Sequence, residues 1–482
     1  MFDFFLRKIP LWFFAAAILC LHPALFAQDE DGWSGFSSFG FPGGPADGGF
    51  APDSFSGSPF SFALETEMTA RAMLGGGYLD GYFHDSRGGD SVFLDPSAKL
   101  DFGYASEKTD FRLVLRADRD VLAFWPQDII GEFTARAYLG DFVLEAGKMK
   151  IVWGKGDEVH VVDNFNANDY TNFIFPSYID RRIAEPMLRL VWNGANLRAE
   201  AVYTPVMTAD RFAEDGPWVP GPVRDLSGRA SSSVLAQANA ALKADNAGLL
   251  LAALSVADSL VPDTSCFDYG QAGFRLTGTA GLADWGVSYY IGHRKQVSAV
   301  WNAAQDLPEL GYDRLQVFGL EGAAALGRFN LRAEAAYWMT EDFAGTDPGV
   351  HNHSVQWVAG FDVDLPIHNL NVNIQNNGAV VLHGGETGSP LDVDYDAKQR
   401  HTNNKIILRL SDSFLYEKLN LELRFLWGIE RADFILFPSV RYNVSPELEF
   451  ALSGMYITGK EDSEFSYWQD NSFVQLGVKY TF

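Results

Sequence analysis

Residues 148–186 carry a dense set of side chains that could do chemistry, in the order K-M-K-I-V-W-G-K-G-D-E-V-H-V-V-D-N-F-N-A-N-D-Y-T-N-F-I-F-P-S-Y-I-D-R-R-I-A-E-P. The candidate site residues of this segment are Trp153, Asp157, Asp163, Asn166, Asp169, Arg181 and Arg182. Carboxylates facing guanidinium groups form strong, charge-assisted hydrogen bonds. The aspartates and arginines therefore either narrow a passage or brace the segment against a wall, and the sequence leaves both open. Calcium is a third alternative, because carboxylate and amide oxygens are hard ligands, but the spacing matches no EF-hand. We predict no metal and no cofactor.

Motifs of common enzymes are absent from the sequence. It contains no H-E-x-x-H, no G-x-S-x-G and no P-loop. A hydrolase would need a nucleophile with a histidine partner, and the cluster that comes nearest is His351-Asn352-His353-Ser354. We expect these histidines to be solvated in a polar loop. We therefore predict no catalytic residues and no enzymatic activity.

A second group of charged residues lies on one face of segments that alternate with period two, as side chains do along a β-strand. Burying such a set in a dry core would cost several kcal/mol for each unpaired ion, whereas a water-filled lumen tolerates it. The candidate lumen-lining residues are Arg112, Arg116, Arg136, Arg332, Glu334, Arg409, Glu422, Arg424, Arg441 and Lys479. Ion pairs between neighbouring strands are the simpler interpretation of each residue taken singly.

The period-two pattern recurs from Ser61 to the carboxy terminus, which predicts an all-β protein. After a first strand from Ser61, the predicted strands span 91–104, 109–122, 130–139, 142–152, 186–192, 196–204, 269–279, 285–293, 314–325, 329–338, 354–364, 369–383, 405–411, 419–427, 433–442, 447–457 and 472–482. Asn193-Gly194, between two of these strands, is a strong signal for a tight hairpin.

Short and long connections alternate along the chain, which is typical of a transmembrane antiparallel up-and-down β-barrel with short turns at one end and long loops at the other. We predict about eighteen strands, with sixteen or twenty as alternatives. The longest connection, 205–268, contains a candidate helix from Ser231 to Leu242 and an apolar run at 247–257. We expect it to act as a lid, because long loops without a function are uncommon.

The last strand places Val474, Leu476, Val478, Tyr480 and Phe482 on one face. With its carboxy-terminal phenylalanine it resembles the assembly signal of bacterial outer-membrane barrels, which implies the barrel-assembly machinery as a partner. Aromatic residues near strand ends fit interfacial girdles. They are Trp192, Tyr203, Trp285, Tyr337, Trp338, Trp427, Tyr442, Tyr456 and Tyr480.

The amino terminus predicts export. Arg7 and Lys8 precede an apolar run, and Ala27 ends a small-x-small cleavage site, so 1–27 reads as a signal peptide. Residues 28–60, rich in Gly, Phe and Ser, are predicted to be a disordered leader, and 61–482 to be the barrel. Cleavage leaves Cys266 as the only cysteine. With 37 basic and 62 acidic residues, the chain is a poor partner for nucleic acid.

The segment around Trp153 resembles part of an uncharacterised family of large outer-membrane barrels of Gram-negative bacteria, through Gly147, Trp153, Gly154, Asp163, Asn166, Asp169, Arg182 and Pro186. The resemblance implies an outer-membrane channel, surrounded by lipid, for passive or gated passage of small solutes, including apolar or lipid-like compounds. Two rival classes stay open: a surface adhesin on a plugged barrel, and an outer-membrane hydrolase.

Overall fold

A computed structural model of the protein describes residues 59–74, 92–213, 218–219, 262–302, 307–387, 393–396, 398–460 and 463–482. The predicted signal peptide, nearly all of the predicted leader, the candidate helix of 231–242 and the apolar run at 247–257 lie outside the described residues.

The described residues form one closed, 18-stranded antiparallel sheet. Its strands are β1 (Phe60–Met73), β2 (Val92–Ala105), β3 (Thr109–Asp118), β4 (Ile130–Leu139), β5 (Phe142–Met149), β7 (Glu185–Asn193), β8 (Leu197–Thr204), β10 (Gln271–Ala280), β11 (Ala283–His293), β14 (Arg314–Leu326), β15 (Phe329–Thr340), β16 (Ser354–Asp364), β17 (Asn371–Val381), β18 (Thr402–Phe414), β19 (Leu419–Gly428), β20 (Asp433–Asn443), β21 (Leu448–Thr458) and β22 (Phe473–Thr481). Each strand pairs with its sequence neighbours in this set, and β22 pairs back with β1 from Thr481 opposite Glu65 to Phe473 opposite Met73. The predicted strand number and closure are confirmed.

Four short strands lie in the connections: β6 (Asp169–Tyr170) pairs with β9 (Arg211–Phe212), and β12 (Ser298–Asn302) with β13 (Leu307–Gly311). Two short α-helices, α1 (Arg119–Ala123) and α2 (Tyr178–Arg181), and 3-10 turns at Pro126–Ile129, Phe267–Tyr269, Gly384–Glu386 and Ser466–Asn471 complete the elements. No helix among the described residues has the length and apolar character needed to span a membrane.

Three predicted strands are shorter than expected, and of these the strand predicted at 369–383 spans Asn371–Val381. The third strand was predicted to reach residue 122 but ends at Asp118, whose carboxylate accepts a hydrogen bond from the Val121 N–H and caps α1. The fifth strand was predicted to reach residue 152 but ends at Met149, whose carbonyl accepts a hydrogen bond from the Asn166 side chain in the loop that follows. Local alternation does not report either event, because both depend on side-chain caps.

The two ends of the barrel differ. Tight turns such as Gly140-Asp141 and Gly281-Leu282 join strands at one end, which we call the short-turn end. Gly140 and Gly281 adopt φ values of +66° and +65°, a conformation that suits glycine. The first strand, β1, starts at the short-turn end, and the last strand, β22, ends there. The other end, called the long-loop end, carries the long connections.

The outer wall of the barrel is apolar, and the hydrophobic core lies inside it. Leu190, Leu320, Leu452 and Leu476 are among the exposed outward residues. Among the aromatics expected in girdles, Tyr203, Trp427, Tyr442, Tyr456 and Tyr480 are exposed. Trp338 is a correction: it faces inward, and its indole N–H donates to the Val161 carbonyl. Its neighbour Tyr337 occupies the alternate face, as the strand period requires.

Candidate functional site

The segment 150–184, here called the inner loop, leaves β5 at the long-loop end and folds into the barrel. Asn166 ties its base together. The Asn166 side-chain oxygen accepts from the Ile151 N–H at 2.9 Å, and its amide nitrogen donates to the carbonyls of Met149 at 3.0 Å and Ile183 at 2.9 Å. A single buried amide thus joins the end of β5, the middle of the inner loop and the approach to β7.

The far side of the inner loop is held by Glu334 on β15. The Glu334 carboxylate accepts hydrogen bonds from the backbone N–H groups of Lys155 at 2.8 Å, Gly156 at 2.6 Å and Val161 at 2.9 Å. His160 Nδ1 lies 2.8 Å from the same carboxylate. Burial lowers the pKa of His160, but the adjacent Glu334 charge more than compensates, so the net shift is upward. This arrangement is called the Glu334 latch below.

Next to the latch, Asp157 and Glu158 point toward charged residues of the wall. Asp157 lies 3.7 Å from both Arg332 and Arg409, and its carboxylate accepts from the Asn373 amide at 2.7 Å. Glu158 lies 3.8 Å from Arg409 and 3.9 Å from Arg424. Burial raises the pKa of Glu158, although both arginines oppose the shift. The inner loop therefore reaches from β5 across to β15, β17, β18 and β19.

Aromatic side chains pack the inner loop against the wall. Trp153 and Phe165 are fully buried with ring centroids 5.0 Å apart, and Phe165 meets Tyr290 of β11 edge-on. Gly273 of β10 makes this approach possible, because a Cβ at that position would lie 2.8 Å from Phe165 and 2.9 Å from Trp153. Trp153, a candidate site residue, is therefore a packing anchor.

Other candidate residues of the inner loop pair differently from the expectation that the aspartates face Arg181 and Arg182. Asp163 does pair with Arg182 at 2.5 Å, and both side chains are buried. Asp169 instead pairs with Arg211 at 3.1 Å, and Asp157 pairs with the wall as described above. Arg181 is fully buried and donates to the Ile174 carbonyl at 3.2 Å. Most of the predicted charges therefore brace the inner loop.

The opposite side of the barrel interior is open to water. On the inner faces of β2, β3 and β4, the charged residues are half-buried, and 40% of the Arg116 side chain is accessible; they are Lys99, Asp101, Arg112, Arg116 and Glu132. A cavity of about 130 Å³ lies between Arg116 and the inner loop. Another, of about 290 Å³, lies at the short-turn end next to Arg112 and Arg136. We call the residues Lys99, Asp101, Arg112, Arg116 and Glu132 the charged face.

Lys150 lies at the base of the inner loop and lines the same cavity as Arg116 of the charged face. Its ammonium donates to the Ile179 carbonyl at 2.8 Å, and among the described side chains no carboxylate comes within ion-pair distance of it. Burial, with Arg116 next in importance, lowers the pKa of Lys150 to about 8. Nearby, burial and the Asp118 charge raise the pKa of Asp120 to about 6. The long-loop end of the charged face thus holds groups that titrate near neutrality.

The ten lumen-lining candidates all lie on inner faces, but they fall into two groups. Under the inner loop, Glu334 and the Arg424–Glu422 pair, at 2.5 Å, are buried, while Arg332 and Arg409 flank Asp157. Elsewhere the pairs are cross-strand: Arg112 with Asp101 at 2.6 Å, Arg136 with Glu145 at 2.5 Å and Lys479 with Glu65 at 3.2 Å. Arg116 lies 3.8 Å from Asp118, and Arg441 is half-buried on β20.

Sequence reasoning missed Lys150, Asn373, Gln375 and Arg211. Gln375 donates to the Asp157 carbonyl at 2.8 Å, and Arg211 bridges Asp169 and Asp128. Asn373 and Gln375 sit in N-V-N-I-Q-N-N, where inward amides alternate with Val372 and Ile374. That run of buried-side amides was the available signal.

The histidine cluster at 351–354 is not solvated, contrary to expectation. His351 is fully buried, and its Nδ1 contacts Asp313 and Ser298. A catalytic triad instead places Ser and Asp on different nitrogens of the imidazole. Because both partners share Nδ1 here and all are buried, these residues brace the outer loops. The part of the chain that the structure describes contains no cluster of three or more His, Cys, Asp or Glu side chains suited to a metal.

The last strand has the predicted facing. Val474, Leu476, Tyr480 and Phe482 are exposed on the outer wall, and Val478 lies on the same face partly covered. Phe473, the one aromatic residue of the inner face, is buried against Phe175 of the inner loop and Trp218. Its position thus depends on the loops inside the barrel.

The closed antiparallel sheet and the loop folded inside it define an up-and-down β-barrel of eighteen strands. Among solved structures, the chain is similar to a mutant porin of Rhodobacter blastica, at 10% identity, covering 88% of this chain and 100% of that one, with a TM-score of 0.38. It is also similar to OccAB4 of Acinetobacter baumannii, at 10% identity, covering 88% and 97%, with a TM-score of 0.45. No family model and no curated protein matches the sequence.

Proposed function

We propose that the protein is an outer-membrane channel for small polar solutes, and that the solutes pass along the charged face between β2–β4 and the inner loop. One observation carries this proposal: Arg116 and Arg112 on β3 keep 40% and 28% of their side-chain surface accessible, whereas Glu334 on β15 and the Glu422–Arg424 pair on β19 are buried under the inner loop. Buried ion pairs are costly unless well compensated, whereas charges along a wet passage are tolerated.

The outer surface supports the membrane location. Lipid-spanning barrels present an apolar outer band and a polar interior, since closure satisfies every backbone group. Leucine, phenylalanine and valine dominate the exposed outward positions, including Phe318, Leu320 and Phe450. Most of these side chains would be unfavourable in water as a contiguous belt.

Both signs of charge line the charged face, which favours polar solutes over apolar ones. Arg112 pairs with Asp101 and faces Glu132 at 3.6 Å, and Arg116 lies 3.8 Å from Asp118, so both arginines have an acidic neighbour there. Opposed charges impose a transverse field that orients dipolar solutes. Apolar compounds, which the family resemblance implied, have no such row among the described residues, because the interior aromatic residues pack on one another.

Planar-bilayer recording tests the proposal. Purified wild-type protein should give discrete conductance steps in KCl. Arg116→Glu should shift the ion selectivity toward cations, because Arg116 is exposed on the charged face. Arg328→Glu is the matched control, since Arg328 lies in an exposed short turn outside the interior. Equal selectivity of both variants and wild type would exclude this route.

A plugged barrel that binds partners at its surface is the second candidate. The observation in its favour is the hydrophobic cluster inside the barrel, which joins the inner loop to Phe465, Trp468 and Phe473. Folded protein that inserts into bilayers and carries no current would favour this alternative.

A further inference from the structure

A third cavity, of about 90 Å³, lies inside the barrel at the long-loop end, on the side opposite the charged face. The inner loop contributes His160, Asn164 and Tyr178 to its lining. The wall contributes His293 at the end of β11 and Gln356 at the start of β16. The cavity therefore has one lining from a loop and one from the barrel wall.

Several polar atoms that line this cavity lack a hydrogen-bond partner among the described residues. They are Asn164 Nδ2, Asn168 Oδ1, His293 Nδ1 and Gln356 Oε1, together with Asp163 Oδ1 and Arg182 Nε of one ion pair. Asn164 is 7% exposed and Gln356 is 3% exposed, so both are more than nine-tenths buried. Buried polar groups in folded proteins are almost always hydrogen-bonded. These atoms thus mark a place that a polar molecule fits.

Three charged groups of the cavity already have a partner, and the Arg182–Asp163 and Lys295–Glu185 pairs carry no net charge. Arg182 contacts Asp163 at 2.5 Å, Lys295 contacts Glu185 at 3.1 Å, and Asp210 accepts from the Asn168 N–H at 2.6 Å. What the lining offers in addition is neutral amide and imidazole groups, including both a donor, Asn164 Nδ2, and acceptors, Asn168 Oδ1 and Gln356 Oε1. A matching ligand is neutral and carries groups that both donate and accept, as hydroxyl groups do.

The size of the cavity restricts the ligand further. A water molecule needs roughly 10–15 Å³ of such volume, so about 90 Å³ holds a molecule of a few carbon atoms with their hydroxyl groups. We propose that this cavity binds a small neutral polyol, of about the size of erythritol, at the long-loop entrance. As a solute assignment this rests on the proposed channel function, whereas binding itself does not.

Saturation-transfer NMR with erythritol and detergent-solubilised protein tests binding directly. Wild-type protein should give a saturable signal. Asn164→Leu on the inner loop and Gln356→Leu on the wall should each weaken binding about tenfold or more, because each leaves the ligand short of a partner. The second variant guards against misfolding of the inner loop in the first.

Gln316→Leu is the matched control, because Gln316 lies on the outer face of β14 and bonds the Tyr289 hydroxyl. It should bind like wild type. Absence of a wild-type signal, which means that water alone fills the cavity, overturns the site, as does unchanged binding by both cavity variants. Conductance in KCl is measured on the same preparations. Erythritol binding without conductance would refute the channel function and support the binding site. Conductance without erythritol binding would support the channel function and refute the binding site.

Discussion

We expect the Glu334 latch to hold the inner loop in its docked position inside the barrel. Glu334→Gln preserves the size of the side chain and one acceptor oxygen. It removes the negative charge opposite His160. In the wild type the second carboxylate oxygen accepts a hydrogen bond from the Val161 N–H at 2.9 Å. In the variant that N–H meets either the amide nitrogen or the one remaining oxygen, which the other donors also need. The Lys155 and Gly156 N–H groups then compete for weaker acceptors.

The magnitude follows from the burial of the latch. Glu334 is fully buried as a side chain, and His160 is 5% exposed. Removing one partner of a buried, hydrogen-bonded charge pair costs about 3–5 kcal/mol. Because the glutamine keeps some hydrogen bonds, we expect about 3 kcal/mol, which is roughly a 100-fold rise in the population with the inner loop undocked.

Two assays report that population. Current recordings of Glu334→Gln should show larger or noisier open-channel conductance, because an undocked inner loop leaves the β15–β19 side accessible. Trypsin should cleave after Lys155 about 100-fold faster, since cleavage of a transiently opened segment follows its equilibrium population.

Glu145→Gln is the control for these assays, because Glu145 is a buried wall carboxylate whose partners, Arg136 and Arg189, are also wall residues. It should leave both readouts unchanged. If Glu334→Gln migrates as a folded barrel yet matches wild type in conductance noise and in cleavage after Lys155, the latch does not hold the inner loop.

Further measurements address the same interior. His160→Gln should reduce the pH dependence of the latch. The pKa of His160 is raised in the folded state, so the stabilisation that His160 gives is complete at low pH and is lost as the pH rises through that pKa. The conductance noise of the wild type should therefore grow on alkalinisation, while that of the variant stays constant. Lys150 has a pKa of about 8, so its charge disappears above pH 8. At about 5 Å from a passing ion that charge is worth ~0.8 kcal/mol in water, so Lys150→Gln should raise the cation-to-anion permeability ratio at pH 7 by at least about fourfold and leave it little changed at pH 9.5; equal ratios for variant and wild type at pH 7 would remove Lys150 from the path. The Gly273→Val side chain should clash with Trp153 and Phe165 and lower the free energy that holds the inner loop in place by roughly 1–3 kcal/mol, measured as faster protease cleavage of the loop. Gly322→Val is the control, because the nearest atom to a Cβ there is 3.7 Å away, and it should leave cleavage unchanged.

The barrel itself was predictable because its signals are local. Alternation with period two marks each strand, and short turns alternate with long connections, so strand number and closure follow from neighbouring residues along the chain. Leu419 to Trp427 shows the pattern clearly, and β19 forms there. The facing of Val474, Leu476 and Tyr480 follows from the same period.

The errors occurred where a side-chain contact changes the local outcome. Asp118 caps a helix and shortens β3, and Asn166 takes over the end of β5. Trp338 was assigned to the outer girdle, although one of two adjacent aromatics had to face inward. His351 was expected in water, but Asp313 and Ser298 enclose it.

The residues along the chain therefore determined a closed sheet with an apolar outside and a charged inside, because side-chain alternation is a property of the extended backbone alone. Only the tertiary structure decided which of the inner charges meet water. That choice depends on contacts such as His160 with Glu334, which are 174 residues apart, and on the inner loop that carries one of them across the lumen. No local period records such a contact, since its energy exists only after the barrel has closed around the loop.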